Sequence, residues 1–498
     1  MKPFAKKVLA MLGSRPFFIA VLVFFVVESL WVAFSAVYPM AFDEDFHFGL
    51  IGIYTHHWLP FLSSQPAGAD AYGAVARDPS YLYHYLASFP DRLLGLFTAN
   101  QAAHVIFLRV INIGLFTWAL VLSRTILQRA GMSPAFRNTA LSVFVLIPIV
   151  PLLAAQVSYD PLFFLLVAWS CLLVSQTVER LRARSLDMHT LATLASVCMA
   201  ASLVKYAFLP VFAAIVLFIA LATWYAFRGR GKDFWPAIGS GLAVIGLRAK
   251  VGLAIALGLS LGLFVQRYGV NMVLYHSPLS DCSQVLSVDR CKAYGPWARN
   301  YNMSQQKLPQ ATAGPLAYTW HWLQAVHYRL FFTINGPDGG YTNYPPLPLP
   351  AATVVAIGFM SIIAVALYWR RTFHRSPYVV FLLFVSVAYC LVLWLNNYVD
   401  YQQTGEPVAI NGRYLIPILL PLAAVAGRAL SMVFKPWPYA KTVIAGLVIL
   451  LFLQGGGVLS FILRSDSGWH WSSNVVVKAN AAARNVLDPF IISGNKYY

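Results

Sequence analysis

The sequence predicts an all-α, polytopic integral membrane protein of about eleven transmembrane helices, and three observations predict it. The 498-residue chain is 59% hydrophobic and only 11% charged, against about 25% charged in soluble globular proteins. Its mean hydropathy is +0.64. Its apolar residues come in long continuous runs rather than in the alternation of barrel strands, and a chain in lipid must satisfy its backbone inside helices or a closed barrel.

The first apolar run, 16–38, follows Lys2, Lys6, Lys7 and Arg15. It is too long for the core of a signal peptide and no small-residue cleavage site follows it, so it reads as a retained anchor. Further spans are expected over 103–123, 140–154, 162–178, 191–204, 208–227, 251–265, 351–369, 379–395, 414–433 and 443–462. The stretch 234–247 is apolar but short. It reads as an interfacial or re-entrant piece, because a span there would invert everything after it. Residues 1–462 form one transmembrane domain, and 463–498 a short tail.

The charge of +18 could point to nucleic acid, but its distribution points to topology. On the side that holds the N-terminus, the short loops carry Arg124, Arg129 and Arg137, then Arg180, Arg182 and Arg184. They go on with Arg228, Arg230, Lys232, Arg248 and Lys250, then Arg370, Arg371 and Arg375, then Arg428, Lys435 and Lys441. Only Glu179, Asp187 and Asp233 oppose them. Basic loops are retained in the cytoplasm. The expectation is therefore a cell-membrane (inner or plasma membrane) protein with a cytoplasmic N-terminus, an outer C-terminus and no nucleic-acid partner.

Two long loops then fall on the outer face, 38–102 and 269–350, and loops of that length are usually functional. The first carries interfacial aromatics such as Trp58, Tyr72 and Tyr85. The second holds Cys282 and Cys291, whose separation in an outer loop suggests a disulfide. It ends in a turn-rich strip, 335–340, and a proline-rich one, 345–350, which read as a rim.

The first loop opens on Phe42-Asp43-Glu44-Asp45-Phe46-His47. Three carboxylates at a helix mouth cost stability unless a cation, a substrate or a basic group compensates them. On a helix, Asp43 and His47 share a face and Glu44 points away. The functional reading is a general base at the membrane surface; the plain one is a solvated acidic loop. Farther on, Asp160 precedes Pro161, as a helix N-cap would, or completes an acidic cluster with Asp43. Lys205-Tyr206 ends the fifth span, where a lysine either snorkels or binds an anion. Asn411-Gly412-Arg413-Tyr414 opens the tenth, with glycine offering a phosphate access to backbone and guanidinium. Glu28, inside the first span, reads as a buried partner for another helix.

These motifs, in this order and on one side, resemble those of the GT-C superfamily of membrane glycosyltransferases, which use polyprenyl-phosphate-linked sugars. The resemblance implies inverting transfer of a sugar to an acceptor, a cell-envelope glycan or a lipid, on the outer side of the bilayer. It implies Asp43 as base with Glu44 supporting or substituting. Asp160 assists, and Lys205 and Arg413 hold the donor phosphate. Asp45, His47, Tyr206 and Tyr414 complete the expected substrate-binding set, and Asp45 departs from a two-acid pattern. The short tail favours a monosaccharide donor over the protein-glycosylating enzymes. The acids could also hold Mg²⁺ or Mn²⁺, and the neighbouring cations could do the same electrostatic work. A secondary transporter or lipid flippase is the alternative. It would need polar or broken helices at midplane and an internal repeat; no repeat is visible.

Overall fold

The computed structural model describes residues 2–40, 43–306, 313–331, 349–374 and 376–492. The strips at 335–340 and 345–348, with Phe42 and Arg375, lie outside the described residues. Among the described residues the chain is all-helical, with eight helices long and apolar enough to cross a membrane.

A short basic helix, α1 (Lys2–Leu12), leads into the first span, α2 (Arg15–Ser35). Ser14 caps α2 by accepting from the Phe17 amide, and Pro16 is pre-organised for the first turn. The first loop folds into α3 (Glu44–Thr55) and α4 (Leu82–Leu94). The second span, α5 (Gln101–Arg129), is capped by the Asn100 side chain. Then come α6 (Pro134–Val145), α7 (Ile149–Ala154) and the third span, α8 (Asp160–Arg182). α8 is the most buried of the spans. Phe116 of α5 lies 4.7 Å from Phe164 of α8 and 5.4 Å from Phe25 of α2, so packed rings join the first three spans.

Beyond α8 lie α9 (Met188–Val204), the span α10 (Leu209–Phe227), the short exposed α11 (Phe234–Ala243) and the span α12 (Leu247–Phe264). The second loop holds α13 (Val270–Tyr275), α14 (Cys282–Val285), α15 (Val288–Cys291), α16 (Gly295–Gln305) and α17 (Pro315–Phe331). Next are the span α18 (Leu349–Leu367), α19 (Trp369–Phe373) and the spans α20 (Pro377–Thr404) and α21 (Ile416–Val433). The chain closes with α22 (Pro438–Phe452), α23 (Val458–Arg464) and α24 (Asn474–Leu487).

Eight of the eleven expected spans appear as helices long enough to cross a membrane, and the other three as shorter apolar pieces, two of them broken. The run 140–154 breaks between α6 and α7, where Pro148 lacks an amide and disfavours helix at Ile147. The run 443–462 breaks at Gly455–Gly457, and Gly457 adopts a positive φ of 56° that a side chain would resist. The helix over 191–204 is the unbroken α9, apolar and 17 residues long; its end meets the start of α8 through Lys205 and Asp160, so it runs back along that span. The two breaks satisfy each other: the Gly457 amide donates to the Leu146 carbonyl, and the Val458 amide donates to Glu28 Oε2. The helix partner of the buried Glu28 is thus the backbone amide at the start of α23.

Candidate active site

Asp43 adopts a left-handed conformation, φ 66° and ψ 34°, immediately before α3. That turn sends neighbouring carboxylates to different places. The Asp43 side chain stays 58% exposed and its Oδ2 accepts from Arg413 Nη2 at 2.9 Å. Glu44 turns inward, to 1% exposure. Asp45 is exposed on α3, outside the ion pairs that Asp43 and Asp160 form.

Glu44 meets Arg109 of α5, itself fully buried, through two hydrogen bonds of 2.8 and 2.7 Å. It also accepts from the Met40 amide at 2.8 Å and the Val157 amide at 2.9 Å. Arg109 donates further to the carbonyls of Ala33, Ala36 and Val37, where α2 ends. One buried ion pair therefore ties α3 to α2, α5 and the α7–α8 turn. This corrects the expectation that Glu44 could substitute for Asp43 as base: both its oxygens are taken and no acceptor can reach it. The sequence reading missed Arg109, although a lone arginine within an apolar run is a signal that it needs a partner.

Arg413 lies nearly buried in the 3₁₀ turn Gly412–Leu415 that leads into α21. Asn411 Oδ1 accepts from the Arg413 amide and fixes that turn. Gly412 serves packing rather than phosphate access. A β-carbon there would lie 2.7 Å from the Leu330 amide nitrogen and 2.8 Å from the Val326 carbonyl oxygen of α17.

Asp160 is not an N-cap. It is the first residue of α8, and its Oδ1 accepts from Lys205 Nζ at 2.6 Å. Lys205 does not snorkel: it is 5% exposed, at an extended break after α9. Its ammonium sits 4.5 Å from the Tyr159 ring centre and 5.1 Å from that of Tyr414. The Arg413 guanidinium lies 5.3 Å from the same Tyr414 ring. The two ion pairs, Asp43–Arg413 and Asp160–Lys205, thus share one aromatic neighbour, and residues 370 positions apart meet at one end of the bundle. Tyr206 is about half exposed beside them, its amide donating to Ser80 Oγ.

His47 is buried rather than open to a ligand. Its Nδ1 lies 2.9 Å from His84 Nε2, and Tyr159 packs edge-on against it. Burial holds both imidazoles below their usual value of 6.5, with His84, Arg413 and Lys205 adding to the effect on His47. His84 is pushed down to about 3. The sign follows: above pH ~6.5 both folded and unfolded chains carry neutral rings. Between ~6.5 and ~3 the unfolded chain binds the protons, so stability is full above this window and is lost as pH falls through it. We expect thermal unfolding midpoints in detergent to drop from about pH 7 to pH 5, with a shallower drop in His84→Gln.

The second loop closes onto the first. Cys282 and Cys291 are bonded, with Cα atoms 5.9 Å apart, and Arg290 beside them makes two 2.7 Å hydrogen bonds to Asp70. Those bonds hold the Asp70 carboxyl below its ordinary range. Tyr294 reaches over to Phe46 of α3, ring centres 5.7 Å apart. Among the described residues no group of three or more His, Cys, Asp or Glu side chains is arranged to hold a metal ion. The Asp43 and Asp160 carboxylates each face a side-chain cation instead.

Two crystal structures of the Archaeoglobus fulgidus oligosaccharyltransferase share this architecture. One is tethered with an acceptor peptide containing the NVT sequon via a disulfide bond: TM-score 0.50, 11% identity, 97% of this chain and 59% of that chain covered. The other is the apo form: TM-score 0.50, 14% identity, 97% and 60% covered. The fold is similar to that of the part of those two structures it covers. The chain is a multi-pass membrane protein that spans about three fifths of the length of those two. No protein-family model matches the sequence, and no curated protein matches it. At such low identity the likeness establishes the fold alone.

Proposed function

We propose that this protein is an inverting glycosyltransferase that moves a monosaccharide from a polyprenyl-phosphate donor to a cell-envelope glycan or lipid on the extracytoplasmic side of the membrane. The observation that carries the reading is the meeting of Asp43–Arg413 and Asp160–Lys205 around Tyr414. The exposed Asp43 carboxylate takes the proton of the acceptor hydroxyl as that oxygen bonds to the sugar's anomeric carbon. The bond from that carbon to the phosphate oxygen breaks on the opposite face, and polyprenyl phosphate leaves with the electron pair. Lys205 and Arg413 balance the charge that grows on it. Lys205 has three N–H donors and spends one on Asp160. Arg109 and Glu44 hold α3 in place for this chemistry and take no part in it.

The test is sugar transfer from radiolabelled polyprenyl-phosphate donor by the purified chain in detergent, run with a chelator present. Product of inverted anomeric configuration is expected. Lys205→Gln keeps a donor for Asp160 and should raise the donor KM by roughly 10- to 100-fold, the worth of a hydrogen bond to a charged group. Scrambling of the labelled lipid across vesicles without transfer would favour the flippase reading instead.

A further inference from the structure

The end of the bundle opposite Asp43 contains a second built feature. The C-terminal ends of α8 and α10 and the start of α20 border an open cavity of about 1120 Å³. One end is lined by Arg182, Arg184 and His374, and the wall by Phe218, Leu221 and Phe384. Trp224 and Tyr225, both largely exposed, sit at the junction between the two. No aspartate or glutamate lines it.

We propose that this cavity seats one anionic glycerophospholipid, its phosphate against the arginines and its acyl chains along the phenylalanine wall. Three properties favour that occupant. The cavity is amphipathic along its length, cationic at one end and apolar over the rest, which is the pattern of a lipid and not of a free anion. α10 and α20 are spans, and Leu221 and Val380 on their flank of the cavity are exposed, so its apolar side faces the place of the bilayer chains. Trp and Tyr rings at such a junction match the headgroup level. A surplus of basic loop residues is a topology signal; basic side chains lining a pocket between spans are the recognition geometry for an acidic headgroup. A second cavity of about 800 Å³, between α6, α18, α21 and α22, provides the contrast: no charged residue lines it. The proposal does not depend on the transferase reading.

The experiment measures lipid retention by native mass spectrometry and the unfolding midpoint of the full chain in detergent. The probes are phosphatidylglycerol, phosphatidylcholine with the same acyl chains, inorganic phosphate and polyprenyl phosphate. Phosphatidylglycerol should be retained over phosphatidylcholine by roughly 10- to 30-fold, from a factor of about five for each arginine at the surface. Arg184→Gln, at an exposed position, should cut that preference by about five-fold. Ala222→Trp, which fills the cavity, should abolish retention of both lipids. Equal retention of the two phospholipids, or a preference unchanged by Arg184→Gln, overturns the proposal. So does inorganic phosphate giving the same stabilisation, or polyprenyl phosphate displacing phosphatidylglycerol from the cavity.

Discussion

Asp43→Asn is expected to lower kcat for sugar transfer by about 10²- to 10⁴-fold, the usual worth of a positioned general base. The substitution is nearly isosteric and keeps an oxygen for Arg413 Nη2, now 2.9 Å from Asp43 Oδ2. The side chain is 58% exposed, and ion pairs at such exposure contribute about 0–1 kcal/mol to stability. The variant should therefore unfold at nearly the wild-type temperature while turnover collapses, and its donor KM should move little. Asp45→Asn is the companion variant: that carboxylate is exposed and outside the pair with Arg413, so a substrate-binding role there should raise KM and leave kcat near the wild-type level. A kcat for Asp43→Asn equal to wild type would remove Asp43 from the chemistry.

Glu44→Gln should do the reverse. Breaking a fully buried ion pair from one side leaves an uncompensated charge, at a cost of roughly 3–5 kcal/mol. Here the stranded group is Arg109, buried among the carbonyls that end α2. The unfolding midpoint in detergent should fall steeply. Turnover per folded molecule, measured at low temperature, should be retained, because Glu44 has no opening toward an acceptor. The double variant Glu44→Gln/Arg109→Met should be less destabilised than the two single effects added, since the second change removes the charge that the first strands. A stable Glu44→Gln protein that has lost kcat would return Glu44 to the catalytic machinery. The two adjacent acids thus give opposite signatures, one in rate and one in stability.

The membrane fold class was legible because lipid forces it: long apolar runs have few other uses. Two of the expected spans, 140–154 and 443–462, are broken where helix continuity is decided locally. Pro148 and the glycines at 455–457 lie inside apolar runs, and mean hydropathy does not register them. Asp43, Asp160, Lys205 and Arg413 stood out as charged residues at the ends of apolar runs, and the structure brings all four together. Glu44 and His47 stood out for the same reason and are buried, one on Arg109 and the other on His84. Their difference from Asp43 comes from one left-handed residue.

By itself the sequence determined that the chain lives in a bilayer, where its charges concentrate and which carboxylates and cations are candidates. These are properties of single residues and short windows, which transfer energies between water and lipid already settle. Only the tertiary structure decided which acid keeps its face to solvent, which cation sits on which carboxylate, and that Arg109 ties the site together. Those are pairings across 45 to 370 residues. A buried charge is tolerated only where a particular partner meets it, and no local stretch of chain names that partner.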